Sequence, residues 1–236
     1  DDFAVMGMHF KLGLYEHQSA GALQGLIDLI RAHPEILEDE SAIETIEIVA
    51  YQPAYGIIGD PAKKDPRTRQ SADHSMAYIV STKLRKALEL AKKIGSTTLG
   101  ESNEDYWTAL MLEPHDYDGD AIFNERTRAL MQTIDFAHGG PEYDEKYPDG
   151  IPTSIKITLA GGKTHDSGLV MYPSGHARNT TADLDAILAH KFDLLGSLAL
   201  DDPRPIIDKF NRVGELSAAE LRNLNDFQIL DRGPFE

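Results

Sequence analysis

The stretch from Thr153 to Leu159 places Ile155, Ile157 and Leu159 at alternate positions, with Lys156 and Thr158 between them. A period of two puts the apolar side chains on one face of a strand and the polar ones on the other. Ala160-Gly161-Gly162-Lys163 reads as a turn, and residues 164–172 return with Leu169 and Met171, so the spacing predicts a β-hairpin with one apolar face. A lone hairpin is marginal in water. This chain therefore has to fold helices or further strands onto that face.

The cover is legible elsewhere. After His17, residues Leu23, Leu26, Ile27 and Ile30 recur at helical spacing, with Ser19 a candidate cap and Pro34 just past the end. Ile43-Glu44-Thr45-Ile46-Glu47-Ile48-Val49-Ala50 alternates as a half-buried strand. Residues 60–70 hold two prolines and four cations and read as a basic loop. From Ser71 a second long helical pattern carries Met76, Ile79, Val80, Leu84 and Leu88, and Gly95 closes it. Beyond Pro173 the pattern is helical only, over residues 181–200 and 203–224, broken at Asp201-Asp202-Pro203. The fold class is α+β, with an antiparallel sheet and packed helices over residues 1–178 and a helical segment over 179–236.

Composition narrows the function. With 41% hydrophobic residues in 236, the chain can bury a real core, and no window of about 18 uncharged apolar residues exists. A soluble chain without a membrane partner is expected. Absence of Cys excludes a disulfide scaffold, a thiolate zinc site, a cysteine nucleophile and a cysteine-held iron-sulfur cluster. A net charge of −16 argues against nucleic acid. That charge is local: residues 101–150 carry thirteen acids against three cations, whereas residues 61–93 carry nine cations against three acids. The start has no Met and turns apolar at once, at Phe3, Ala4, Val5 and Met6, which reads as a piece of a longer protein.

No phosphate loop, dinucleotide fingerprint or serine elbow occurs. The acidic run Asp116-Tyr117-Asp118-Gly119-Asp120 has its glycine at the fourth position rather than the sixth, so a solvated helix start is preferred over calcium. Neither a metal nor a cofactor is expected. The chemically dense segment is residues 9–20, in which Lys11 and two histidines, His9 and His17, precede a helix. A carboxylate fits there, held by helix amides and Lys11, with His17 as acid or base; against this stands a capping His17 and a surface Lys11. Tyr55 follows the first strand and can present its phenol to a ligand, although a core aromatic is the commoner case. Asp73 and His74 are adjacent, and neighbours on a helix do not face one another. On this reading Ser71 and Asp73 satisfy first-turn amides and His74 points inward.

Three motifs together, Phe10-Lys11 to His17-Gln18-Ser19-Ala20, Arg69-Gln70-Ser71-Ala72-Asp73-His74-Ser75 and Met171-Tyr172-Pro173-Ser174-Gly175-His176, resemble the MmgE/PrpD family in order and spacing, from about Phe10 to about Asn211. That family includes 2-methylcitrate dehydratase, cis-aconitate decarboxylase and iminodisuccinate epimerase. The resemblance implies a two-part enzyme. This chain matches the α+β lid and the C-terminal return helices, while the all-helical domain is largely absent. It implies that Lys11 binds or reacts beside substrate carboxylates, that His17 is catalytic and that Tyr55 is the active-site tyrosine of the decarboxylase branch. Arg69 and His74 are the substrate-binding candidates. The implied activity is a cofactor-independent 2-methylcitrate dehydratase-like hydro-lyase acting on a small di- or tricarboxylate, in cytoplasm or mitochondrial matrix. The alternatives are a decarboxylase, an epimerase, or a non-catalytic lid that binds a helical partner. The partners expected are a helical domain, of the same protein or a second chain, and a second copy in a homodimer.

Overall fold

The computed structural model describes Phe3 and residues 7–233. Of the apolar stretch at the start, Phe3 is exposed and residues 4–6 lie outside the described residues. Four strands, Ile43–Ala50 (β1), Ile134–His138 (β2), Thr153–Leu159 (β3) and Lys163–Asp166 (β4), form one sheet in the order β2-β1-β3-β4. The hairpin is present, with Ile157 opposite His165, and β1 runs antiparallel to β3, with Ile48 opposite Ile155. Their alternation is borne out: Thr153, Ile155, Ile157 and Leu159 are buried and the residues between them are not.

Two expectations about the sheet are corrected. It is mixed rather than antiparallel, because β2 pairs parallel to β1 with Ile46 opposite Ile134. The return strand also stops at Asp166. There Ser167 turns its hydroxyl to accept from the Ile155 amide at 3.0 Å, and the chain regains β3 only at the isolated Thr153–Val170 bridge.

The first helix, Ala20–Ala32 (α1), buries Leu23, Leu26, Ile27 and Ile30 as their spacing predicts. It lies unusually close to the sheet because Gly21 has no side chain: a Cβ there would stand 2.6 Å from Thr153 Oγ1 and 2.8 Å from the Ile151 carbonyl. Ser19 occupies the cap position without a side-chain cap bond; Glu16 instead caps the preceding turn His17–Ser19, accepting from Gln18 N at 2.5 Å.

The long helix expected from Ser71 is two helices, Arg69–Ala72 (α2) and Met76–Ile94 (α3). Ser75 divides them. Its hydroxyl donates to the Lys63 carbonyl at 2.6 Å and accepts from Tyr78 N at 3.2 Å, so it caps α3 and ties it to the basic loop. Gly95, at φ +69°, closes α3 in the left-handed conformation expected of a terminal glycine. Thr68 and Ser71 form a capping box on α2. Asp73 does not cap; it pairs with His74.

Seven further helices complete the described residues: Asn103–Ala109 (α4), Gly119–Ile122 (α5), Glu125–Gln132 (α6), Pro141–Asp144 (α7), Leu184–Gly196 (α8), Arg204–Asn211 (α9) and Ala218–Arg222 (α10). Acids of the run 116–120 serve the fold: Asp116 is buried and accepts from Lys86 Nζ at 2.7 Å, and Asp118 caps α5. In the C-terminal segment α8 buries Ile187 and packs on α4, whereas α9 and α10 bury no residue. The single helix read over 203–224 is interrupted by the turn Val213–Glu215 and by Ser217, which caps α10. No helix among the described residues is long and apolar enough to cross a membrane.

Candidate active-site cleft

Between the loop before α1 and α2 with the turn that follows it lies a cleft of about 460 Å³, lined among others by Lys11, Glu16, His17, Arg69, Asp73 and His74. Four of the five residues singled out from sequence, Lys11, His17, Arg69 and His74, therefore share one hollow. The loop that presents Lys11 and His17 is fixed from below. Leu12 and Tyr15 are buried, the Leu12 amide donates to Tyr15 Oη at 2.8 Å, Leu14 N donates to Leu112 O at 2.9 Å, and the Tyr117 hydroxyl donates to the Leu14 carbonyl. Both cleft phenols are thus committed to backbone.

Tyr55 is elsewhere. After β1 the chain makes a π-helical turn, Ala54–Ile58, that buries Ala54 and Ile58 and leaves Tyr55 outward. Ile58 lines the Lys11–His17 cleft, while Tyr55 lines a separate hollow of about 300 Å³ with Lys64, Asp135 and Phe136, its ring stacked on His138 at 5.7 Å. The expectation that Tyr55 joins Lys11 and His17 is corrected by this turn, whose i→i+5 bonding a reading of strand and helix periods does not anticipate.

His74 is exposed rather than pointing inward. Because α2 ends at Ala72, Asp73 and His74 lie in a turn, and their side chains meet through His74 Nδ1 and Asp73 Oδ1. The Gln70 carbonyl accepts from the same nitrogen at 3.0 Å. Two acceptors on Nδ1 assign it the proton and leave Nε2 as the free lone pair of the neutral ring.

Cations and carboxylates share the cleft: Lys11 and Arg69 line it with Glu16 and Asp73. Burial raises Glu16 above the usual carboxylate range, opposed by its bonds from Gln18 and Ser19 and by the charges of His74 and Lys11. His17 is lowered from 6.5, first by partial burial and then by the Lys11 ammonium, so its imidazole is neutral and basic at pH 7. Lys191 of α8 donates to the Lys11 carbonyl at 2.6 Å, bringing a second ammonium beside the loop, and burial and Lys11 lower it.

Behind His17 stands a row that the spacing in sequence did not indicate. His9 lies 4.7 Å from the His17 ring and 5.8 Å from that of His176. Burial, His17 and His176 hold His9 down to about 3. The row exists because Phe10 N donates to Gly175 O at 2.8 Å and His9 bridges to His176. Ser174-Gly175-His176 was visible as a motif; its meeting with the first loop depends on the fold. No protein-family model and no curated protein matches this chain.

Proposed function

We propose that the chain carries one wall of a lyase active site that removes water from a small tricarboxylate, in the manner of a 2-methylcitrate dehydratase. The supporting observation is the convergence of Lys11, Arg69, His17 and the Asp73–His74 pair on one cleft. Breaking a bond at carbon beside a carboxylate puts charge on that carboxylate, and fixed donors aimed at it lower the barrier by about 3 to 4 kcal/mol each. Lys11 and Arg69 supply those charges. Neutral His17 accepts the proton from carbon, the electron pair forms the new double bond, and the carbon–oxygen bond breaks. The departing hydroxyl leaves as water with a proton that His74 relays from solvent: Nε2 first takes the proton up, Asp73 on Nδ1 stabilises the imidazolium, and Nε2 then passes the proton to the hydroxyl. Tyr55, expected as a third catalytic residue and matched by the resemblance to the decarboxylase branch, lines another hollow, which favours dehydration by His17 and His74 over decarboxylation. The cytoplasm or mitochondrial matrix is the compartment that goes with this chemistry.

A second reading, a lid needing a helical partner or a second copy for activity, is favoured by α9 and α10, which bury nothing and leave Phe210 and Leu221 exposed. Incubating the chain with 2-methylcitrate, citrate and cis-aconitate, followed by product analysis, tests both. The dehydrated acid is the expected product, with turnover lowered about 10²- to 10⁴-fold in His17→Ala. Binding without turnover supports the lid reading. Neither binding nor turnover with any of the three overturns both.

A further inference from the structure

At the far end of α1 from the cleft, His33, Glu35 and His165 bring two imidazoles and a carboxylate together, one ligand atom from each lying within 4.8 Å of the others. We propose that these three side chains form a site for a divalent transition-metal ion of the zinc class, clamping the end of α1 to the edge strand β4. The geometry suits it. His33 Nδ1 lies 3.8 Å and His165 Nε2 3.4 Å from Glu35 Oε1. Tetrahedral zinc with bonds of about 2.0 to 2.1 Å sets its ligand atoms roughly 3.3 Å apart, close to both distances from Glu35, and the two imidazoles, whose ring centroids lie 4.0 Å apart, adjust to bring the third pair to that spacing.

Local structure builds the cluster. His33 ends α1 in a non-helical conformation, Pro34 starts the turn Pro34–Leu37, and that turn brings Glu35 back toward His33. His165 is the one buried position of β4. Its side chain is 4% exposed, yet Nε2 has no hydrogen-bond partner and faces the Glu35 carboxylate. A buried polar atom without a partner destabilises the fold, and a metal bond removes that cost. Two imidazoles and one carboxylate match the borderline metals rather than calcium or magnesium, and they leave a coordination position open to water.

One competitor is present. Lys163 Nζ donates to Glu35 Oε1 at 2.8 Å from a side chain that is 62% exposed and free to swing out. This separates a metal site from a plain ion pair, because the two respond oppositely when Lys163 is removed.

The chain, stripped with a chelator and titrated with Zn²⁺ by calorimetry, is expected to bind one equivalent and to melt at a higher temperature with it. His33→Ala and Glu35→Gln, both at partly exposed positions, should each weaken that binding by about 100-fold or more, whereas Lys163→Met should tighten it severalfold. Co²⁺ in place of Zn²⁺ should give visible absorption that His33→Ala abolishes. No saturable binding up to about 0.1 mM Zn²⁺ in either the native chain or Lys163→Met overturns the proposal. So does binding that survives both His33→Ala and Glu35→Gln, or that is lost in His17→Ala instead.

Discussion

The imidazole of His9 meets that of His17 edge to face, ring centroids 4.7 Å apart, and neither ring nitrogen of His9 has a hydrogen-bond partner. A proton on His9 would be buried between two other imidazoles, which is why its pKa falls from 6.5 to about 3. The unfolded chain binds this proton near 6.5 and the folded chain does not. Between pH 6.5 and about 3 the unfolded state therefore carries more protons, and stability declines as pH is lowered, by up to about 1.4 kcal/mol per pH unit for this group. Urea midpoints measured from pH 7 to pH 4 should fall steeply for the native chain and less steeply for His9→Phe. Equal slopes would show that the proton loads elsewhere.

The same row depends on one glycine. A Cβ at Gly175 would lie 2.0 Å from the Phe10 carbonyl oxygen, a backbone atom that cannot swing aside, so an alanine forces residues 9–10 away from 175–176. Overpacking of this kind costs about 1 to 3 kcal/mol. Gly175→Ala is expected to lower the melting temperature and, because His9 moves, to flatten the acid limb of stability that His9 produces. Histidine NMR titration reads the second effect directly.

Lys83 is a different case of burial. It is wholly inside, with Nζ 4.0 Å over the Trp107 ring and no hydrogen-bond partner, and desolvation, then the nearby Lys86 ammonium, lower it well below 10.5. The unfolded chain protonates this amine at pH 7, the folded chain resists doing so, and stability due to this group rises with pH up to about 10.4. Lys83→Met keeps the apolar stem and removes the orphaned amine, which should stabilise the fold by about 1 to 3 kcal/mol at pH 7. The gain should shrink as pH is raised toward 10, a trend that melting curves at pH 6, 8 and 10 can follow.

The helices and strands that bury one face were legible because burial imposes a period: Leu23 to Ile30 on α1, Ile155 to Leu159 on β3, Ile46 to Ala50 on β1. What the period does not carry is pairing at a distance. Residues Ile134–His138 alternate only over Ile134-Asp135-Phe136 and bury Ile134 alone on an edge strand, too short a pattern to read without the parallel partnership with β1. The helix pattern from Ser71 ran through Asp73 and His74 because nothing local announces that Ser75 will bond to Lys63 across the basic loop. That break turned a pair of helical neighbours into a hydrogen-bonded carboxylate and imidazole. In the cleft, Lys11, His17 and His9 could be seen as a short cluster and Arg69 and His74 as a motif, whereas Lys191 and His176 come beside them only through contacts between the two ends of the chain.

The position of Tyr55 gives the proposed cleft its sharpest internal comparison. Lys11 and Arg69 line the cleft with His17, and Tyr55 faces Lys64 and Asp135 across a separate hollow. A charge-assisted hydrogen bond to a ligand carboxylate contributes about 1.5 to 3 kcal/mol, equivalent to roughly 10- to 100-fold in affinity. Lys11→Ala and Arg69→Ala should each weaken 2-methylcitrate binding by that factor, while Tyr55→Phe should leave both binding and turnover within about 2-fold of native, since its hydroxyl meets no ligand in the Lys11–His17 cleft. Calorimetry on the three variants decides the matter. Loss of binding in Tyr55→Phe with retention in Lys11→Ala and Arg69→Ala would move the site to the other hollow, where the Lys64–Asp135 pair at 3.6 Å, rather than Lys11 and Arg69, would have to receive the carboxylates.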